Sequence, residues 1–197
     1  MLSLSIHEPA LLARVTTQYD MEQDRMRLTG EARNTQVQEL WLTQRLLLRL
    51  LPGLWQWLQA LPDAGVDGVA ADAAAATSMA DPQHREALQE FAQQQASASL
   101  ARQAPVQARQ FTLPWLVRSA QIQTSAALLH LHLFSSGDAA RAREDGSRHA
   151  VIAMNPIQLR QWLGIVHREF TRAGWPTTPW PQWMRQPAEP TPEARLH

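Results

Sequence analysis

The sequence predicts an α+β fold: two β-β-β-α units, read as an internal duplication, with antiparallel sheet and a mostly surface helix between them. Three observations carry this. Glu39-Leu40-Trp41-Leu42 and Val151-Ile152-Ala153-Met154 are short apolar strands, each followed by an N-cap residue and an amphipathic helix. The helices share one register, with Leu47, Leu51, Leu54, Leu58 and Leu61 in one matching Leu159, Leu163, Val166, Phe170 and Ala173 in the other. A hairpin-like pair of alternating segments precedes each unit.

Taken in order, residues 11–18 and 25–29 alternate around the polar turn 20–24 and predict the first hairpin. The third strand ends at Thr43, whose hydroxyl can cap the helix that starts at Gln44. Pro52 falls inside that helix and should free the carbonyl of Leu48 and bend the axis. Residues 62–81, with Gly65, Gly68 and an alanine run, read as a linker or long loop. Asp81 can cap a new helix with Pro82 at its first position, running to about Gln103. Its large apolar residues are Leu88, Phe91 and Leu100, which suits a surface helix with a narrow contact stripe.

The second unit repeats the order. Residues 120–123 and 127–134 flank Thr124-Ser125-Ala126 as a hairpin, and residues 135–148 read as an exposed, flexible loop. Asn155 is the second cap, and Pro156 occupies the first helical position, where its missing N–H is harmless. After Gly174 the chain becomes rich in tryptophan and proline through Trp175, Trp180 and Trp183, extended in character and too apolar to float free. The expected segments are residues 1–61, 62–104, 105–174 and 175–197, within one compact domain overall. The two three-stranded sheets either merge edge to edge or pack as a pseudo-symmetric pair with the helices on one face. The main core is assigned to Leu47, Leu51, Leu54, Leu163, Val166 and Phe170.

Composition limits the chemistry. Eighteen basic and eighteen acidic residues cancel, so no global field favours a nucleic acid or an acidic membrane. There is no cysteine, which removes disulfides and thiolate chemistry, and every basic residue other than histidine is arginine. A P-loop lysine, a Schiff-base lysine and a glycine-rich dinucleotide turn are therefore absent. No cofactor is implied. The N-terminus lacks a basic region followed by a long apolar core, and the most apolar window is interrupted by Arg45 and Arg49. The expectation is a cytoplasmic chain with no membrane span.

His130 and His132 lie two apart on one strand face and could meet one metal ion, with His149 on the next strand as a third ligand. The competing reading is a half-exposed strand whose Leu129, Leu131 and Leu133 face the core. Trp175, Trp180 and Trp183 are candidates for binding a partner, weighed against packing back on their own chain. No motif carries a family resemblance. The leading function is a non-catalytic interaction or accessory protein acting through protein–protein contacts, with a protein partner or self-association into a homodimer. The alternatives are a nucleic-acid-associated protein using Trp and Arg surfaces, not favoured by the charge balance, and a metal-binding protein or metal-dependent enzyme built on His130 and His132.

Overall fold

The computed structural model describes residues 9–61, 82–101, 103–109, 112–125, 127–139 and 147–185. In chain order its elements are β1 (Ala10–Asp20), β2 (Arg25–Ala32), β3 (Val37–Leu42), α1 (Gln44–Ala60), α2 (Pro82–Ala98) and β4 (Trp115–Leu116). There follow β5 (Ser119–Thr124), β6 (Leu129–Phe134), β7 (His149–Met154), α3 (Pro156–Arg172) and the short α4 (Gln182–Arg185). The linker 62–81 with its Asp81 cap, residues 140–146 of the expected flexible loop and the tail beyond Arg185 lie outside the described residues.

Both strand-to-helix corners form as their chemistry requires. Thr43 is extended and its hydroxyl accepts from the Leu46 amide, at 3.2 Å. Asn155 accepts from the Gln158 amide at 2.8 Å, and Gln158 returns the bond by accepting from the Asn155 amide at 3.0 Å, which completes a capping box. Helix α1 runs unbroken past Pro52.

The strands make one seven-stranded, curled mixed sheet, a half-barrel, in the order β4-β3-β2-β1-β7-β6-β5. The two three-stranded sheets thus merge edge to edge. Their junction is parallel, Ala10–Leu12 of β1 lying beside Ala150–Ile152 of β7. Within the units the ladders are antiparallel and pair alike. Met26 opposes Leu42 and Leu28 opposes Leu40 in the first unit, as Leu129 opposes Met154 and Leu131 opposes Ile152 in the second. The two-residue β4, which the sequence pattern did not announce, adds to β3 in parallel at Leu40 and Trp41. A bulge in β1 between Leu12 and Arg14 brings Leu12 down over Gly30, where any Cβ would collide with Leu12 Cδ1.

One buried cluster draws on both units and includes all six expected core residues, Leu47, Leu51, Leu54, Leu163, Val166 and Phe170. Helix α3 packs on β1 and β7, and α1 packs on β5. Helices α1 and α3 therefore each cover the first strand of the other unit. Where Gly53 of α1 approaches β5, a Cβ would stand 3.0 Å from Ile122 Cδ1. Trp162 of α3 donates to the Thr17 hydroxyl of β1 at 3.0 Å, which satisfies a buried indole N–H.

Helix α2 corrects the expected apolar stripe. Phe91 is 59% exposed and Leu100 40%, while Gln93 and Ala96 are buried. The apolar face of α3 is already used against the sheet, so α2 attaches to it through polar groups. Gln93 Nε2 donates to the Arg160 carbonyl at 3.1 Å, the buried Arg160 guanidinium donates to Gln89 Oε1 at 2.5 Å, and Gln161 donates to the Ala96 carbonyl at 3.0 Å. No described helix is long and apolar enough to cross a membrane.

Candidate functional site

The histidines lie on the face of the sheet opposite the core. Alternation along β6 sends Leu129, Leu131 and Leu133 inward, fully buried, and His130 and His132 outward. His149 opens β7 opposite Phe134, which brings it to the same outer face. His132 Nδ1 is 3.0 Å from His149 Nε2, and His132 Nε2 is 3.1 Å from Gln123 Oε1. An amide oxygen only accepts, so in this arrangement His132 carries its proton on Nε2, and a neutral His132 accepts at Nδ1 a hydrogen bond donated by His149 Nε2–H. Phe134 stacks on His149 with ring centres 4.2 Å apart. His130 stands off, its ring 6.5 Å from that of His132. Among the described residues, no three histidine, aspartate or glutamate side chains are grouped so as to hold a metal ion. Phe134 departs from a half-exposed strand: it is fully buried on the outer face, against Ala139.

The three tail tryptophans are buried in their own chain. Trp175 donates to Asp24 Oδ1 at 3.1 Å and meets Tyr19 and Phe170 edge to face, at 5.6 and 5.0 Å. Tyr19 also donates to Asp24, and that bond holds its phenol above the usual tyrosine pKa. Trp180 sits among Trp55, Phe170 and His167 at ring separations of 5.4, 5.2 and 4.9 Å. Trp183 leans on Trp55, and the Arg160 guanidinium lies 5.7 Å over its ring. Burial lowers the pKa of both His167 and Arg160. Among the described residues, His167 Nε2 and Trp180 Nε1 are buried without a hydrogen-bond partner. Of the eight tryptophans seven are buried and Trp41 is half-buried, so the rings that a base-stacking surface would need are spent on the core.

A third feature brings together residues that share no sequence pattern. A groove of about 790 Å³ opens where the β2–β3 turn, the start of β1 and the approach to β4 meet. The turn closes through Ala32 N–H to the Gln36 carbonyl at 2.8 Å and Thr35 N–H to the Ala32 carbonyl at 2.9 Å. Thr35 is held there at φ 62°, a left-handed conformation that a β-branched residue seldom adopts. On the facing side Arg148 donates to the Leu113 carbonyl at 2.9 Å and so fixes the approach to β4.

The walls of the groove are mixed. Leu11 is 41% exposed and Leu113 71%. Arg33 and Arg148 both line it, and no aspartate, glutamate or histidine does so among the described residues. Elsewhere on the sheet Arg14 and Arg27 face Glu31 and Glu39, at 3.3 and 3.8 Å; no such ion pair is formed by Arg33 or Arg148 among the described residues. Gln38, also in the lining, has a buried Oε1 with no hydrogen-bond partner among the described residues. The ladder from β4 reaches only Leu40 and Trp41, so Val37 and Gln38 have β2 on one side and no strand on the other among the described residues. Compared with models of protein families, with curated proteins and with solved structures, the chain matches none.

Proposed function

We propose that this protein is a non-catalytic interaction or accessory protein that works through protein–protein contacts, with a second copy of itself among the candidate partners. The groove beside the β2–β3 turn carries this reading. Two exposed leucines share one concavity with amide and guanidinium groups, a mixture typical of contact surfaces. Its described lining offers no carboxylate or imidazole to move a proton near neutral pH, which favours binding over acid–base turnover there.

Duplication of a β-β-β-α unit belongs to the same proposal. Its support is the matched cross-strand pairing, the matched caps at Thr43 and Asn155, and the reciprocal seating of α1 on β5 and α3 on β1. The compartment we assign is the cytoplasm, which cell fractionation tests.

Affinity isolation from the native cells tests the contact reading, with tagged wild type run beside a Leu11→Gln/Leu113→Gln variant. Both leucines are exposed, so the variant should melt within a few degrees of wild type. A partner, or a second copy of the chain, held by wild type and lost by the variant supports the proposal. Identical captures by the two proteins would remove the groove from the function.

A further inference from the structure

We infer that the groove receives an extended segment of a partner protein in which carboxylate side chains flank an apolar one. The inference rests on the contact reading above and names the chemistry of the occupant. Three independent features of the lining point to it.

The first is charge. The chain as a whole carries eighteen basic and eighteen acidic residues, yet the described lining holds two guanidinium groups and no carboxylate. Arg14 and Arg27 of the sheet are compensated by neighbouring glutamates, whereas among the described residues Arg33 and Arg148 form no such ion pair. Arg148 uses Nη1 on the Leu113 carbonyl, which still leaves donors on a group that carries five. Carboxylates match the fork of a guanidinium better than any other side chain does.

The second feature is apolar. Leu11 and Leu113 line the same groove, where each exposes side chain that an apolar residue of the partner would cover. The third is backbone chemistry. Among the described residues the backbone of Val37 and Gln38 has a strand on one side only, and the Gln38 side chain, in the same lining, holds a buried Oε1 without a donor. An extended peptide lying along Val37 and Gln38 would supply N–H groups there and continue the sheet. A nucleic acid fits less well, because two cations are few for a phosphate backbone and the described lining offers no exposed ring on which a base could stack. Both guanidiniums are exposed, so binding is expected to be salt-sensitive and of modest affinity.

The test is selection of a phage-displayed library of short random peptides on the full-length protein, with an Arg33→Gln/Arg148→Gln variant as the counter-target. Enriched sequences should carry Asp or Glu around Leu, Ile, Val or Phe. A fluorescein-labelled member should bind the variant about tenfold more weakly than wild type, as loss of charge-assisted bonds implies. It should weaken similarly when its acids become glutamine, and its affinity should fall as salt rises. The variant should melt within a few degrees of wild type, because it gives up only the exposed Arg148 bond to the Leu113 carbonyl. The inference is overturned by enriched peptides without carboxylates, by equal affinity for wild type and variant, or by no enrichment at all. Preferential binding of a labelled single-stranded oligonucleotide through the same arginines would also overturn it. If the leucine variant loses a cellular partner while acidic peptides fail, the contact reading stands and the carboxylate assignment falls.

Discussion

Replacing Trp180 by alanine should destabilise the protein by about 3 kcal/mol, because the tail is part of the fold. Trp180 is 1% exposed and lies edge to face with Trp55, Phe170 and His167. A buried tryptophan removes about 150–250 Å² from water, worth roughly 4–6 kcal/mol at about 25 cal/mol per Å², an upper bound because the unfolded chain already hides part of that area. Its indole N–H has no partner among the described residues, and relief of that group on truncation returns about 1–2 kcal/mol. The net lies at the lower end of the roughly 3–5 kcal/mol that large aromatic truncations cost. Trp180→Phe should lose about 1 kcal/mol or less, since it keeps a ring and removes the unpartnered donor. Urea unfolding followed by far-UV circular dichroism measures both without relying on tryptophan emission. For a chain of 197 residues the alanine variant should also melt roughly 6–12 °C lower. An alanine variant within about 1 kcal/mol of wild type, or a Phe variant as damaged as the Ala one, would refute the reasoning.

Other perturbations test other joints. Gly30→Ala forces a methyl into Leu12 at the β1 bulge and should cost about 1–3 kcal/mol in urea unfolding; a neutral result would mean that Leu12 can move aside. Leu51→Ala and Leu163→Ala remove residues at corresponding points of α1 and α3, both buried, and each should lose about 2–5 kcal/mol. A loss confined to one of them would count against equivalent units. His167 titrates below the ordinary value because burial disfavours its charged form. The unfolded chain therefore binds the proton first, and stability should fall as pH drops from about 6.5 toward the lowered folded value. Melting curves across that range should show a shallower fall for His167→Gln than for wild type, and parallel curves would contradict the assignment.

Local chemistry made much of the fold legible. Thr43, Asn155 and Pro156 mark helix starts by the hydrogen bonds their side chains or rings permit, and the alternation in β6 reports which leucines face inward. Long-range facts were not legible. Nothing in the residue pattern of β1 or β7 specifies that they pair in parallel, and β4 is too short to show a period. Helix α2 was misread because its anchor lies in another element: Arg160 and Gln161 of α3 reach its polar groups, so Gln93 is buried in place of Phe91. The candidate site shows the same division. Strand period alone puts His130 and His132 on one face; His149 joins that face through the β6–β7 register, and it is His149 that meets His132. Leu11, Arg33, Leu113 and Arg148 come from four separate segments, and each alone resembles ordinary surface. Only the merged sheet brings them to one groove.

Hydrogen exchange followed by mass spectrometry, on the protein alone and in complex with the partner it captures, tests the central claim that this groove is the contact surface. The account predicts slowed exchange over residues 32–38 and 112–116, with the first residues of β1 following, and no change across α2 or the outer face of β6. Protection confined to α2 or to the histidine face, with the β2–β3 turn exchanging as before, would contradict it.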